Sequence, residues 1–230
     1  MPWSFRLARV GGVDVKVHLS IVLLLALGAL LWGQPHGAAG ALFGVAIMLL
    51  LILCVVLHEL GHALAARALG LPVREILLLP MGGLAVLGRA PQRPLHELLI
   101  AAAGPLVNLV IVVGLAVVGA VSGLAAGLTP QDVVALVGEP TLLGGLLWLM
   151  QANIMLVLFN LLPAFPLDGG RVLRALLWMA TDERRATAVA AGIGQGLGLL
   201  LGLLGLFGGN LAIALTGAFI FFGARQEQAG

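Results

Sequence analysis

The sequence predicts an all-α polytopic membrane protein of about six transmembrane helices, with a membrane-associated β-hairpin near residues 73–89. Three observations carry that expectation. Of the 230 residues, 61% are hydrophobic and only 10% charged, with a mean hydropathy of +1.14, whereas soluble domains run about 45–50% apolar and about 25% charged. The apolar residues gather into runs near the length of about 20 that a bilayer crossing needs. Between the runs, or at their ends, stand Pro35, Gly37, Gly70, Pro72, Pro91, Pro94, Pro130 and Pro140, residues that interrupt helices.

Taken in order, the runs lie at about 18–32, 41–69, 97–121, 141–162, 187–207 and 209–223, judged by length and hydropathy. The first and last are short. The second is long: as an α-helix it would extend about 43 Å at 1.5 Å per residue, beyond the roughly 30 Å hydrocarbon core, so one end must emerge. Residues 73–89, "VREILLLPMGGLAVLGR", are too short for two helical passes and are broken by Pro80, Gly82 and Gly83. Two β-prone arms around a Pro/Gly turn predict a hairpin. At membrane depth such backbone must be covered by protein or water, so we expect it beside the polar residues described below; an ordinary cytoplasmic loop is the competing reading. In the fifth run Gly194, Gly198 and Gly202 recur every four residues and predict a face for close helix packing.

Charge sets the expected orientation. With the N-terminus in the cytoplasm, the connections 33–40, 122–140 and Gly208-Gly209 face outward, and none contains Lys or Arg. All 12 basic residues fall on the other side, which the positive-inside rule assigns to the cytoplasm. Both termini are then cytoplasmic. The basic residues are scattered between apolar runs, which speaks against nucleic acid as a partner. Cys54 is the only cysteine, so an internal disulfide and a thiolate-rich metal site are both excluded. A metal would have to use histidine and carboxylate.

The segment "VVLHELGHALAARALG", residues 55–70, supplies such groups inside the second run. On an α-helix His58 and His62 are about 40° apart around the axis and one turn apart along it, so both imidazoles can grip one ion. Glu59 lies about 60° from His62, to the side, where it can hold a water. That spacing points to a zinc hydrolase with Glu59 as general base. Burying ionisable side chains at membrane depth costs roughly 2.5–3.5 kcal/mol each, which makes three on one helix hard to explain without a metal. His58 falls about 25 Å along its helix, near the cytoplasmic end of the crossing. A catalytic zinc takes a third protein ligand, and Asp168 in "FNLLPAFPLDGGRVLRALLW" (residues 159–178) lies on the same expected side. Asp168 also suits the N-cap of a helix starting near Gly169; the matching depth of the histidines favours ligation.

"HELGH" followed downstream by "NLLPAFPLDGG" resembles the site-2 protease family of intramembrane zinc metalloproteases. "GGVDVKVHLS", "LLPMGGLAVL" and "AAAGPLVN" match that family's pattern in the same order, over roughly residues 8–178. The resemblance implies that His58, His62 and Asp168 bind Zn²⁺ and that Glu59 activates water. It further implies that Asn160 helps hold substrate backbone or the oxyanion and that Asn108 lines the site. Capping of the fourth span competes with the first of these roles, and an interhelical hydrogen bond with the second.

On this reading residues 1–230 form a single transmembrane protease domain, with core helices at about 41–69, 97–121 and 141–162 and C-terminal helices at about 187–223. It is a minimal form, without the nucleotide-sensing or inserted peptide-binding domain that family members often carry. The implied function is cleavage of the transmembrane segment of single-span membrane proteins, such as an anti-sigma factor, a membrane-tethered regulator or a signal-peptide remnant. The enzyme would be multi-pass in a cell membrane, with its active site near the cytoplasmic side of the lipid bilayer. A divalent-metal transporter is the alternative, since such proteins also carry HExxH-like motifs in spanning helices. It would need polar ligands on several helices, and the other runs are nearly free of acids and histidines.

Overall fold

The computed structural model describes residues 4–10, 12–79 and 82–229. In chain order these form β1 (Ser4–Val10), β2 (Val13–His18), α1 (Ile21–Ala68), β3 (Val73–Leu79), β4 (Gly82–Leu87), α2 (Pro94–Ala125), α3 (Pro130–Ala135), α4 (Leu142–Asn160), α5 (Asp168–Ala180), α6 (Glu183–Phe207) and α7 (Leu211–Ala229). Helices dominate, as expected. Backbone contacts divide the chain into two compact units, Met1–Gly88 with Leu106–Val157, and Arg89–Pro105 with Leu158–Gly230.

In the first unit, α1 holds both of the first two expected spans. Helical backbone breaks only at Gly37, whose φ of 64° and ψ of −152° reverse the chain in a region that residues with a Cβ rarely enter. The two arms then fold back on each other. A Cβ on Gly44 would lie 2.0 Å from the carbonyl oxygen of Gly28, so the arms touch backbone to backbone, as small residues allow between membrane helices. The expected open connection at 33–40 is thus helical up to a tight reversal. Trp32 packs edge-on against Phe43 and Trp148, and its Nε1–H donates to the Gly138 carbonyl at 2.6 Å.

The expected hairpin is present as β3 and β4, paired antiparallel from Val73 opposite Leu87 to Leu79 opposite Gly82; its turn at Pro80 lies outside the described residues. The hairpin is half of a larger sheet. Strands run in the order β1-β2-β3-β4, with β2 and β3 parallel, so the mostly helical fold carries a small four-stranded sheet of which the expected hairpin is one half. The reason lies in "VDVKV": Val13 and Val15 are buried while Asp14 and Lys16 stay half-buried, the alternation of a strand covered on one face. Val13, Val15, Ile76 and Leu78 form a core with Ala63 of α1. On the other face Lys16 pairs with Glu75.

In the second unit, α6 and α7 pack through glycines. A Cβ on Gly198 would lie 2.5 Å from the Phe221 nitrogen, so the expected small-residue face is used. Phe165 is fully buried with Ala190, Ala191 and Ala224. The Arg174 guanidinium donates to the buried Glu97 carboxylate (Nε–Oε1 2.7 Å) and also pairs with Glu227 at 3.3 Å. Pairing with Arg174 offsets part of the cost of burying the Glu97 charge.

By length and composition, four helices among the described residues can cross a membrane: α1, α2, α4 and α6. The last expected span corresponds to α7, which is not among those four. Many of the large side chains exposed along α1 and α2 are Leu and Val, the surface that lipid solvates.

Candidate metal centre

The second arm of α1 carries His58, Glu59 and His62, which are 5%, 6% and 7% exposed. Helical periodicity puts the histidines on one face, one turn apart. Their Nε2 atoms lie 3.1 Å from each other, with the rings edge-to-face at 81°. Two nitrogens bound at 2.0–2.1 Å to a tetrahedral zinc are separated by about 3.3 Å. The imidazole pair therefore fits a single zinc-sized ion. Behind it, His58 Nδ1 is 3.2 Å from Oδ1 of Asn108, a residue of α2 with 0% exposure. Asn108 thus stands directly behind a predicted ligand.

Glu59 meets the sheet. A Cβ built on Gly83 would lie 2.2 Å from Glu59 Cγ, so the backbone of β4 runs directly against the glutamate side chain. The sequence offers "MGG" as a signal for this approach, but its two glycines read equally well as turn formers. Asn153 is a further buried polar residue with 0% exposure; its Nδ2 donates to the Leu149 carbonyl at 2.8 Å.

In the second unit Asp168 is the first residue of α5. The capping residue is Leu167, in extended backbone with φ −75° and ψ 159°, so the N-cap role considered for Asp168 is not the one it takes. The glycines after it are structural. A Cβ on Gly169 would lie 2.2 Å from the Leu162 carbonyl, and one on Gly170 would lie 2.5 Å from the Phe165 nitrogen. "LDGG" thus lets segment 161–167 fold onto the start of α5 and fixes where Asp168 begins it. Asn160 is the last residue of α4 and is half-buried. The imidazoles of His58 and His62 in the first unit and the carboxylate of Asp168 in the second are donors of the kinds that zinc takes.

The sequence profile of peptidase family M50 matches residues 46–142 and 136–204, more than half of the chain. The chain belongs to peptidase family M50. The M50 chain is 36% identical over 229 residues, 99% of its length, to Zinc metalloprotease MJ0392 of Methanocaldococcus jannaschii. It is 30% identical over 205 residues, 88% of its length, to Stage IV sporulation protein FB of Bacillus subtilis. It spans 61% of the first relative and 65% of the second. Among solved structures, the site-2 protease from Methanocaldococcus jannaschii matches with a TM-score of 0.68 and 35% identity, over 98% of this chain and 95% of that one. The resemblance read from "HELGH" and "LDGG" therefore holds across the M50 chain. Its apolar helices and its family together make it a membrane protein, and nothing in the comparisons supports the transport reading.

Proposed function

We propose that the chain is an intramembrane zinc endopeptidase that cleaves the transmembrane segment of single-span membrane proteins. The observation that carries this is a buried His58–Glu59–His62 turn with its two Nε2 atoms 3.1 Å apart, in a chain of peptidase family M50. His58, His62 and Asp168 would hold the ion. Zinc, when bound, polarises the scissile carbonyl and brings the pKa of water to about 7. Glu59 accepts a proton from that water on its carboxylate and returns it to the departing amine, the work of a general base turned general acid. Asn160 contributes to holding the substrate backbone or the oxyanion.

β4 is one of the two edge strands of the sheet, and Gly83 brings it against Glu59. A substrate helix that unwinds can add to this edge as a further strand, which satisfies its freed backbone groups and presents a carbonyl beside the glutamate. We assign residues 1–230 to one protease domain with six crossings, cytoplasmic termini and the site near the cytoplasmic face. The absence of Lys and Arg from 33–40 and 122–140 supports this orientation.

The test is incubation of the purified protein in proteoliposomes with a library of single-span membrane peptides, as isolated, after chelation and after zinc is restored. Cleavage that is lost and regained with zinc is the expected result. Zinc flux without cleavage would overturn the proposal.

A further inference from the structure

We infer that Asn108 is a positioning residue for the metal centre: its carboxamide oxygen accepts the Nδ1–H of His58 and so leaves the lone pair of His58 Nε2 for the ion. The inference rests on the zinc reading above and adds a residue that acts through a ligand.

A neutral imidazole carries one N–H and one lone pair, and the hydrogen bond made by one nitrogen decides which role the other takes. His58 Nδ1 faces Asn108 Oδ1 at 3.2 Å. We assign the amide oxygen, which only accepts, to the side facing the ring, and with it the proton to Nδ1. His58 Nε2 then carries the lone pair, and it lies 3.1 Å from His62 Nε2. With the amide reversed, its NH₂ would donate to Nδ1 and push the proton onto Nε2, where it would block the ion. The lone pair and the second histidine converge only in the first arrangement.

The surroundings mark this bond as a directed one. Asn108 has 0% exposure, and its Nδ2 is a buried donor with no hydrogen-bond partner among the described residues. An amide kept only to join two helices gains from satisfying both ends, since an unpaired buried donor is costly. Asn108 instead directs its oxygen at His58 and leaves the other end unpaired. Outer partners of this kind hold the ring orientation and raise ligand basicity, and removing one lowers metal affinity about 10–100-fold.

The test compares zinc affinity, by competition with a chelator of known strength, for wild type, Asn108→Leu and Asn108→Asp, with thermal melting as the fold control. Asn108→Leu keeps the branched shape, though it is larger, but removes the acceptor and should weaken zinc binding about 10–100-fold. Asn108→Asp restores an acceptor oxygen and should recover at least about tenfold of that loss, as carboxylate–histidine–zinc arrangements allow. Wild-type affinity in Asn108→Leu would overturn the inference. So would an Asn108→Asp variant that melts like wild type yet binds as weakly as the leucine variant. Should the leucine variant fail to fold, Asn108→Asp decides alone: near-wild-type affinity supports the acceptor role, and a loss of about tenfold or more contradicts it. A wild-type protein that binds no zinc would overturn the metal reading itself, which separates the two failures.

Discussion

Gly83 decides how near the edge strand comes to Glu59. Any side chain there would enter the space of the glutamate, with the first carbon 2.2 Å from Cγ, so Gly83→Ala must displace either the strand or the base. A shift of about 1 Å in a reacting group can cost around 100-fold in rate. We predict that loss in turnover for Gly83→Ala with zinc content unchanged, measured as cleavage rate and metal per chain; wild-type turnover would contradict the contact. His58, Glu59 and His62 were legible because i,i+4 spacing on a helix is itself a geometry. Asp168 was legible as a candidate only, since an Asp before two glycines serves a cap as readily as a ligand. That the hairpin lies beside the polar residues was legible from the cover its backbone needs, but the contact of Gly83 itself with Glu59 was not, because a glycine pair looks the same in a turn.

At the scale of elements, the reversal of α1 rests on Gly37 and on the backbone contact between Gly28 and Gly44. Gly44→Leu forces a large side chain into a gap that has no room for a Cβ. Overpacking of this kind costs about 1–3 kcal/mol and sometimes more. The expected outcome is a lower unfolding midpoint in a denaturant titration, while an unchanged midpoint would show that the arms do not touch there. Two apolar runs around Pro35 and Gly37 made both arms readable, but not the tight reversal between them. The β3–β4 hairpin was readable from its arms and its Pro/Gly centre. β1 and β2 were missed, although "VDVKV" alternates as a strand should. Their sequence sits before the first apolar run, where hydropathy dominates the reading, and the pairing of β2 with β3 joins segments separated by the whole of α1.

For the whole molecule, the orientation we propose rests on charge. Native Cys54 is buried, so single cysteines introduced elsewhere report sidedness. Gln131→Cys should react with an impermeant maleimide added to intact cells, and Gln92→Cys only after the membrane is opened. The reverse pattern would invert the topology. Hydropathy fixed the class of the molecule because 61% apolar residues admit few alternatives to lipid. It counts crossings less well: α7 carries Arg225 and Glu227 within its last turns, so among the described residues length and composition alone do not pick it, and the six crossings proposed above count α1 twice and α7 as the sixth.

The central claim is that Glu59 moves the proton while the histidines hold the metal. The measurement that tests it most directly is zinc content and cleavage rate of Glu59→Gln beside wild type on a single-span substrate. The amide keeps the shape but cannot serve as a base, so zinc per chain should match wild type while the rate falls about 10²–10⁴-fold. A Glu59→Gln protein that cleaves at the wild-type rate would contradict the account.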